Sequence, residues 1–154
     1  CPSHLILGIA LNGVQNQADE SILVKNYISG ERGAKIVTWL LENLCVIDET
    51  VRKLENGVVD AASKCLETIF EDDSKEYEGI VLNFTSNTIE HQSWKYRQAS
   101  IRAFASFLIG VEDKRKQELV DASLLKLVAL LNDQSKIVQY SAIKSINLIT
   151  EECA

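Results

Sequence analysis

From Gln117 to Leu131 the apolar positions are Leu119, Val120, Leu124, Leu127, Val128 and Leu131, the three-and-four spacing of one helix face. Asn132-Asp133-Gln134-Ser135 then offers turn formers and a hydroxyl or carboxylate that can cap the next helix. Ile137, Val138, Ala142, Ile146 and Ile149 outline that second helix, so the segment predicts a helical hairpin. The same layout is present upstream. Ile80, Val81, Phe84 and Ile89 mark a helix over Tyr77–Glu90, His91-Gln92-Ser93 makes the turn, and Trp94–Ile109 runs on until Gly110 can close it.

Aligning the second helices brings Val58, Tyr96 and Val138 into register, followed by Ala62, Ser100 and Ala142. Cys65, Ala103 and Ser145 come next, then Leu66, Phe104 and Ile146, and last Ile69, Phe107 and Ile149. The intervals are 38 and then 42 residues. A two-helix unit of that period predicts an all-α solenoid of HEAT or armadillo type, built from stacked antiparallel hairpins. The small residues of the second set let neighbouring helices approach, while the larger ones fill the layer between them. The first part, 1–56, is less regular. His4–Leu11 and Ile22–Ile28 form a candidate short hairpin, Ser29-Gly30-Glu31-Arg32-Gly33 reads as a break, and Ala34–Val46 reads as a helix holding Trp39 and Leu40. The expectation is one repeat domain over 1–154 of about three to four helical pairs, clearest from residue 57 onward.

Composition agrees with helices: 154 residues, 46% hydrophobic and 25% charged, hold one proline and seven glycines, too few for frequent β-turns. The chain begins at Cys1 and has no methionine, and the expected reading is a fragment of a longer solenoid. A net charge of −6 argues against a protein that neutralises nucleic-acid phosphates. No apolar stretch has the length of a membrane span, and no leader pattern is seen. The charge is uneven. Glu67–Glu78 holds six carboxylates against Lys75, whereas Trp94–Lys116 holds six bases against Glu112 and Asp113. Such runs are either solvated helix ends or docking patches.

Candidate chemistry is sparse. Cys1, Cys45, Cys65 and Cys153 make no CxxC pair and lie apart from His4 and His91, so no metal site is expected. Cys45 and Cys65 fall among apolar neighbours and read as buried, reduced thiols. Ser29–Lys35 lacks the spacing of a phosphate-binding loop, and Asn83-Phe84-Thr85 matches a glycosylation triplet only inside a helix pattern. No nucleophile stands beside an oriented base, so neither an enzyme nor a cofactor is expected. Trp39, Trp94 and Tyr96 read as packing between hairpins.

The run Gln92-Ser93-Trp94-Lys95-Tyr96-Arg97-Gln98-Ala99-Ser100-Ile101-Arg102-Ala103-Phe104-Ala105-Ser106 resembles the W-[RK]-x-R-[DE]-A-[AS]-x-x-A-F-[GA]-[SC] stretch of the importin-β nuclear transport receptors. Asp60–Leu66 with Glu71-Asp72-Asp73 resembles the preceding repeat of that family, and Leu130–Ser135 the following turn. The resemblance covers about Val58 to Glu151 and implies a scaffold without enzymatic activity that moves between cytoplasm and nucleus through the pore. It implies outer grooves between first helices that accept phenylalanine-glycine nucleoporin repeats, here with Tyr77, Val81 and Phe84 on one side and Leu124 and Val128 on the other. It also implies an inner face of second helices that holds cargo, adaptors and the GTPase Ran. Lys95, Gln98, Arg102, Gln139 and Lys144 are the candidates there, beside Glu71, Asp72 and Asp73. Two family features differ. Only Asp48-Glu49 and Glu55 stand where a long acidic loop is usual, and Lys144 replaces a tryptophan that would stack on a cationic stem. A HEAT scaffold outside transport, such as a regulatory or assembly subunit, shares the repeat and is set apart by the Trp94–Ser106 run.

Overall fold

A computed structural model of the chain describes residues 29–46 and 57–153. Of the less regular first part, His4–Leu11, Ile22–Ile28 and the shortened acidic loop at 48–55 lie outside the described residues. Among those described there are helices and no strand: α1 Gly30–Asn43, α2 Gly57–Thr88, α3 Trp94–Leu108, α4 Asp113–Leu130 and α5 Lys136–Cys153. The α2 segment is two helices, broken where Asp73 leaves helical geometry at φ −152° and ψ 77°. The Asp73 carboxylate accepts the Glu76 N–H at 3.4 Å, the position of an N-cap, so it starts the arm 74–88 while ending the arm 57–72.

Three successive hairpins follow: α1 with the arm 57–72, the arm 74–88 with α3, and α4 with α5. Bonds between neighbouring units recur at nearly one sequence separation, as in Ser74–Gly110, Arg97–Asp133 and Glu90–Lys126, each 36 residues apart. Arg102 meets Asp60, and Gly110 lies against Phe70, so contact advances along both helices together and α3 runs in the same direction as the arm 57–72. The second helices therefore form one layer, with α3 in the middle and packed along both the arm 57–72 and α5.

That position explains the core. Every residue from Gln98 to Leu108 except Arg102 is buried, and its small members Ala99, Ser100, Ala103, Ala105 and Ser106 admit a helix on either side. Phe107 meets Phe70 edge-on at 5.4 Å between centroids, and Phe70 in turn contacts Tyr77, so an aromatic cluster closes the break at Asp73. In the repeat alignment the Ala62, Ser100 and Ala142 set is wholly buried, as is the Ile69, Phe107 and Ile149 set. The first set divides: Val138 is buried but Val58 and Tyr96 are about two-fifths exposed (41% and 40%). Tyr96 instead stacks on His91 at 4.2 Å across the turn, a local contact that takes it out of the layer.

Two boundaries differ from the sequence reading. The glycine-containing stretch read as a break is largely helical: α1 starts at Gly30, whose φ is +57°, and Gly33 is buried within it. The Gly30 N–H donates to Glu76 Oε1 at 2.9 Å, a cap supplied from 46 residues away that no local pattern reveals. Gly110 does close α3, but without a left-handed backbone. A Cβ there would stand 1.8 Å from the Phe70 carbonyl oxygen, so this glycine is needed for the close approach of two backbone segments. Ser74 Oγ donates to the Gly110 carbonyl at 2.8 Å and seals the junction.

Candidate protein-binding surface

The arm 57–72, α3 and α5 present one side of their layer as a trough of about 520 Å³. Its floor is made of small residues, Ser63, Ala105, Ser106, Ser141 and Ser145, because the tight stacking of α3 leaves no room for larger ones. Its walls carry Asp60, Lys64 and Glu67 from the arm, Arg102 from α3, and Lys144, Asn147 and Glu151 from α5. Three acids thus face three bases. Arg102 bonds Asp60 at 3.2 Å across the arm–α3 junction. Burial and the neighbouring Glu71 raise the Glu67 carboxyl above its ordinary range, against the pull of Lys64 and Lys144. The trough is therefore partly desolvated at Glu67, and it holds both signs of charge.

Of the inner-face candidates, Arg102 and Lys144 line this trough. Gln98 is corrected: it is 1% exposed, and its amide donates to the Leu44 carbonyl at 2.6 Å, holding the end of α1 against α3. Gln139 is half-buried and donates to the Asp133 carbonyl at 2.6 Å, which turns it inward to the 132–135 turn. Lys95 lies with its Nζ 6.0 Å from the Trp94 ring. Glu71, Asp72 and Asp73 are exposed at the break in α2, Glu67 lines the trough, and the last two acids of the run are used internally. Glu76 caps α1, and Glu78 bonds Arg115 at 2.8 Å.

The outer candidates divide as well. Tyr77 and Val81 are corrected from groove to core, at 1% and 0% exposure, and Tyr77 packs against Phe70 of the arm 57–72. Phe84 is half-buried and, with Ile80, Asn83, Thr38, Leu41 and Glu42, lines a groove of about 510 Å³ between α1 and the arm 74–88. Leu124 and Val128 are exposed on α4, near the still more exposed Leu125.

A residue pair that the pattern did not identify ties consecutive turns together. Arg97 donates to Asp133 through Nε at 2.7 Å and Nη2 at 2.9 Å, and through Nη1 to the carbonyls of His91 and Gln92 at 2.8 Å each. Asp133 also accepts the Ser135 N–H, so one guanidinium organises the turn before α3 and the turn before α5. The hydrogen bond from Arg97 holds the Asp133 carboxyl below its usual value. The signal was present as an arginine and an aspartate at the same offset as other inter-unit bonds, but their pairing requires the stack.

The thiols behave as interior groups: burial raises both Cys45 and Cys65 to about 11, with Glu42 adding to the shift at Cys45, so both stay protonated near neutrality. The His91 ring is engaged by Tyr96, and its Nδ1 accepts the Ser93 N–H at 2.9 Å. Among the described residues no cluster of metal-ligating side chains occurs, and no helix is long and apolar enough to cross a membrane.

No protein-family model matches the chain. Among solved structures, a chain from the complex of Kap95p with RanGDP superposes with a TM-score of 0.78 at 21% identity, covering 97% of this chain and 18% of that one. In that complex, Kap95p binding induces the switch loops of RanGDP to adopt the GTP-bound conformation. A crystal structure of importin-β superposes with a TM-score of 0.73 at 23% identity, over 97% of this chain and 17% of the other. The fold is that of a HEAT-repeat segment of an importin-β solenoid, and the chain spans less than a fifth of the length of either match.

Proposed function

We propose that this chain is a protein-binding segment of an importin-β-like receptor for nucleocytoplasmic transport, working between cytoplasm and nucleus at the pore. The observation that carries the proposal is the mixed-charge trough formed by three parallel second helices within the importin-β fold. A stacked layer of this kind offers broad area and complementary charge to a folded partner, with no need for catalytic geometry. Ran and a cargo or adaptor are the partners proposed for this side, with Arg102, Lys144 and the exposed Glu71, Asp72 and Asp73 as contacts. The outer groove, where Ile80 and Phe84 meet α1, is the proposed seat for phenylalanine-glycine nucleoporin repeats, with Leu124 and Val128 as a second apolar contact on α4.

Surface plasmon resonance tests both sides. The chain is immobilised and offered Ran loaded with GTP or GDP and, separately, a phenylalanine-glycine peptide, at two ionic strengths. Replacing Glu71, Asp72 and Asp73 together by Ser keeps a good capping residue at position 73 and removes the charge. The association rate with Ran or an adaptor should fall at low salt and recover towards wild type as salt is raised, because charges beyond about 10 Å are screened near 0.1 M. Phe84→Ser should weaken the nucleoporin peptide alone. Absence of binding by the unaltered chain to all of these partners would overturn the proposal.

A further inference from the structure

Lys64, Arg102 and Lys144 occupy one position of the repeat, separated by its own intervals of 38 and 42 residues, and all three line the trough. Because the three helices run in the same direction, these bases form a row across it. Further along, Glu67 and Glu151 line the trough, and Glu71 holds in the arm 57–72 the repeat position that Glu151 holds in α5. Seven helical residues separate Lys64 from Glu71 and Lys144 from Glu151, which is about 10 Å at ~1.5 Å per residue. With Asp60, one turn before Lys64, paired to Arg102, the remaining charge of the trough is cationic towards the helix beginnings and anionic towards their ends.

The floor adds a second observation. Ser141, 3% exposed, lines the trough with a hydroxyl that has no hydrogen-bond partner, and the Ser63 hydroxyl and Arg102 Nε share that condition. Buried polar atoms left without partners are costly, and a ligand towards which a serine hydroxyl can turn recovers that cost. A bound helix has already used its own backbone groups. An extended segment has not, and in the polyproline-II conformation residues three apart lie on one side about 9 Å from each other.

We infer that the trough binds an extended peptide segment bearing a carboxylate and, three residues away, a lysine or arginine, the acid lying against Lys64 and Lys144 and the base against Glu67, Glu71 and Glu151. This rests on the reading of the surface as protein-binding and adds the charge order of what it takes. A purely basic segment meets repulsion from the row of bases, and a purely acidic one meets it from the row of acids, so the two rows together select. Arg102 is held by Asp60, which leaves Lys64 and Lys144, both exposed, to make the contact. Glu67 faces Lys64 and Glu71 on its own arm, Lys144 on α5, and Arg102 across the trough. A ligand cation beside it favours its charged form and offsets its burial.

Fluorescence anisotropy with end-blocked peptides carrying Glu-x-x-Lys, Lys-x-x-Lys or Glu-x-x-Glu tests the inference on the whole chain at low salt. The mixed peptide should bind at least tenfold tighter than either of the others. Lys64→Glu with Lys144→Glu should reverse this preference towards Lys-x-x-Lys, and adding Glu71→Lys with Glu151→Lys should restore the mixed peptide, since the two rows are then exchanged. Asn147→Trp, an exposed change on the wall, reads the surface itself, with circular dichroism verifying that each variant is folded. If Asn147→Trp abolishes binding but the row exchanges leave the preference unchanged, the polarity is overturned and the protein-binding reading stands. Equal binding of all three peptides, or binding of none, also overturns the inference. If Asn147→Trp in addition leaves capture of Ran and adaptor intact, the assignment of this face falls with it.

Discussion

Helices α3 and α4 are neighbours in sequence, yet the stack treats them in opposite ways. From Gln98 to Leu108, α3 is buried at every position but Arg102, whereas α4 buries only Lys116, Leu119, Leu127 and Leu130 and leaves Leu124, Leu125 and Val128 exposed. The difference does not follow from apolar content alone. Helix α3 has a second helix on each side as well as its own hairpin partner, while α4 packs on α5 and reaches the arm 74–88 and the turn after it through ion pairs, Arg115 to Glu78 and Lys126 to Glu90. In a solenoid, burial counts neighbours in the stack, and each unit is incomplete without the next.

The largest contrast should come from the same kind of truncation made in both helices. Phe104→Ala empties a site that is 1% exposed and should cost about 4 kcal/mol, read by urea denaturation. Leu125→Ala, at 87% exposure, should change stability by less than about 0.5 kcal/mol. Replacing Leu124, Leu125 and Val128 by Ser should instead reduce self-association at high concentration, seen as a shift towards monomer in sedimentation velocity. Comparable stability losses for Phe104→Ala and Leu125→Ala would break the comparison.

Gly110→Ala tests the junction between α3 and the arm 57–72. The added methyl meets backbone, not a yielding side chain, and the expected loss is about 3 kcal/mol by thermal denaturation. A neutral result would mean the two helix ends separate easily.

Asp133→Asn should cost about 2 kcal/mol, because it removes the charge from a pair whose side chains are 17% and 9% exposed. Since the Asp133 pKa is depressed, its contribution is full above the unfolded value of 3.8 and disappears as pH falls through the lower folded value. The gap between wild type and variant in pH-dependent melts should therefore close only in strong acid.

The smallest effect lies in the trough. The Glu67 pKa is raised, so its favourable contribution is complete below 4.5 and declines as pH rises through the folded value. Glu67→Gln should consequently melt slightly higher than wild type at neutral pH and match it below pH 4.5.

Much of this architecture is legible in the chain, and the misreadings have a shared cause. The turn at 132–135, the start of α3 at Trp94 and the buried set Ala62, Ser100 and Ala142 follow from turn formers and apolar spacing, which act within a few residues. By periodicity Tyr77 and Val81 are interchangeable with Phe84 as groove residues, but only Phe84 reaches a groove, because the first two are buried in the core, Tyr77 against Phe70 of the preceding arm. Gln98 reads as a polar surface residue because its bonding partner, the end of α1, lies 54 positions away.

A helical array with a period near 40 residues is written in the chain, since hydrophobic spacing and turn chemistry are local and recur visibly. Tertiary structure alone decided that α3 is the helix enclosed on both sides, that Glu76 caps α1, that Arg97 joins two turns through Asp133, and that bases and acids from three helices gather in one trough. The bonds among them join residues 36 to 46 positions apart, and their partners are chosen by the offset between stacked hairpins, a quantity that no single hairpin's pattern contains.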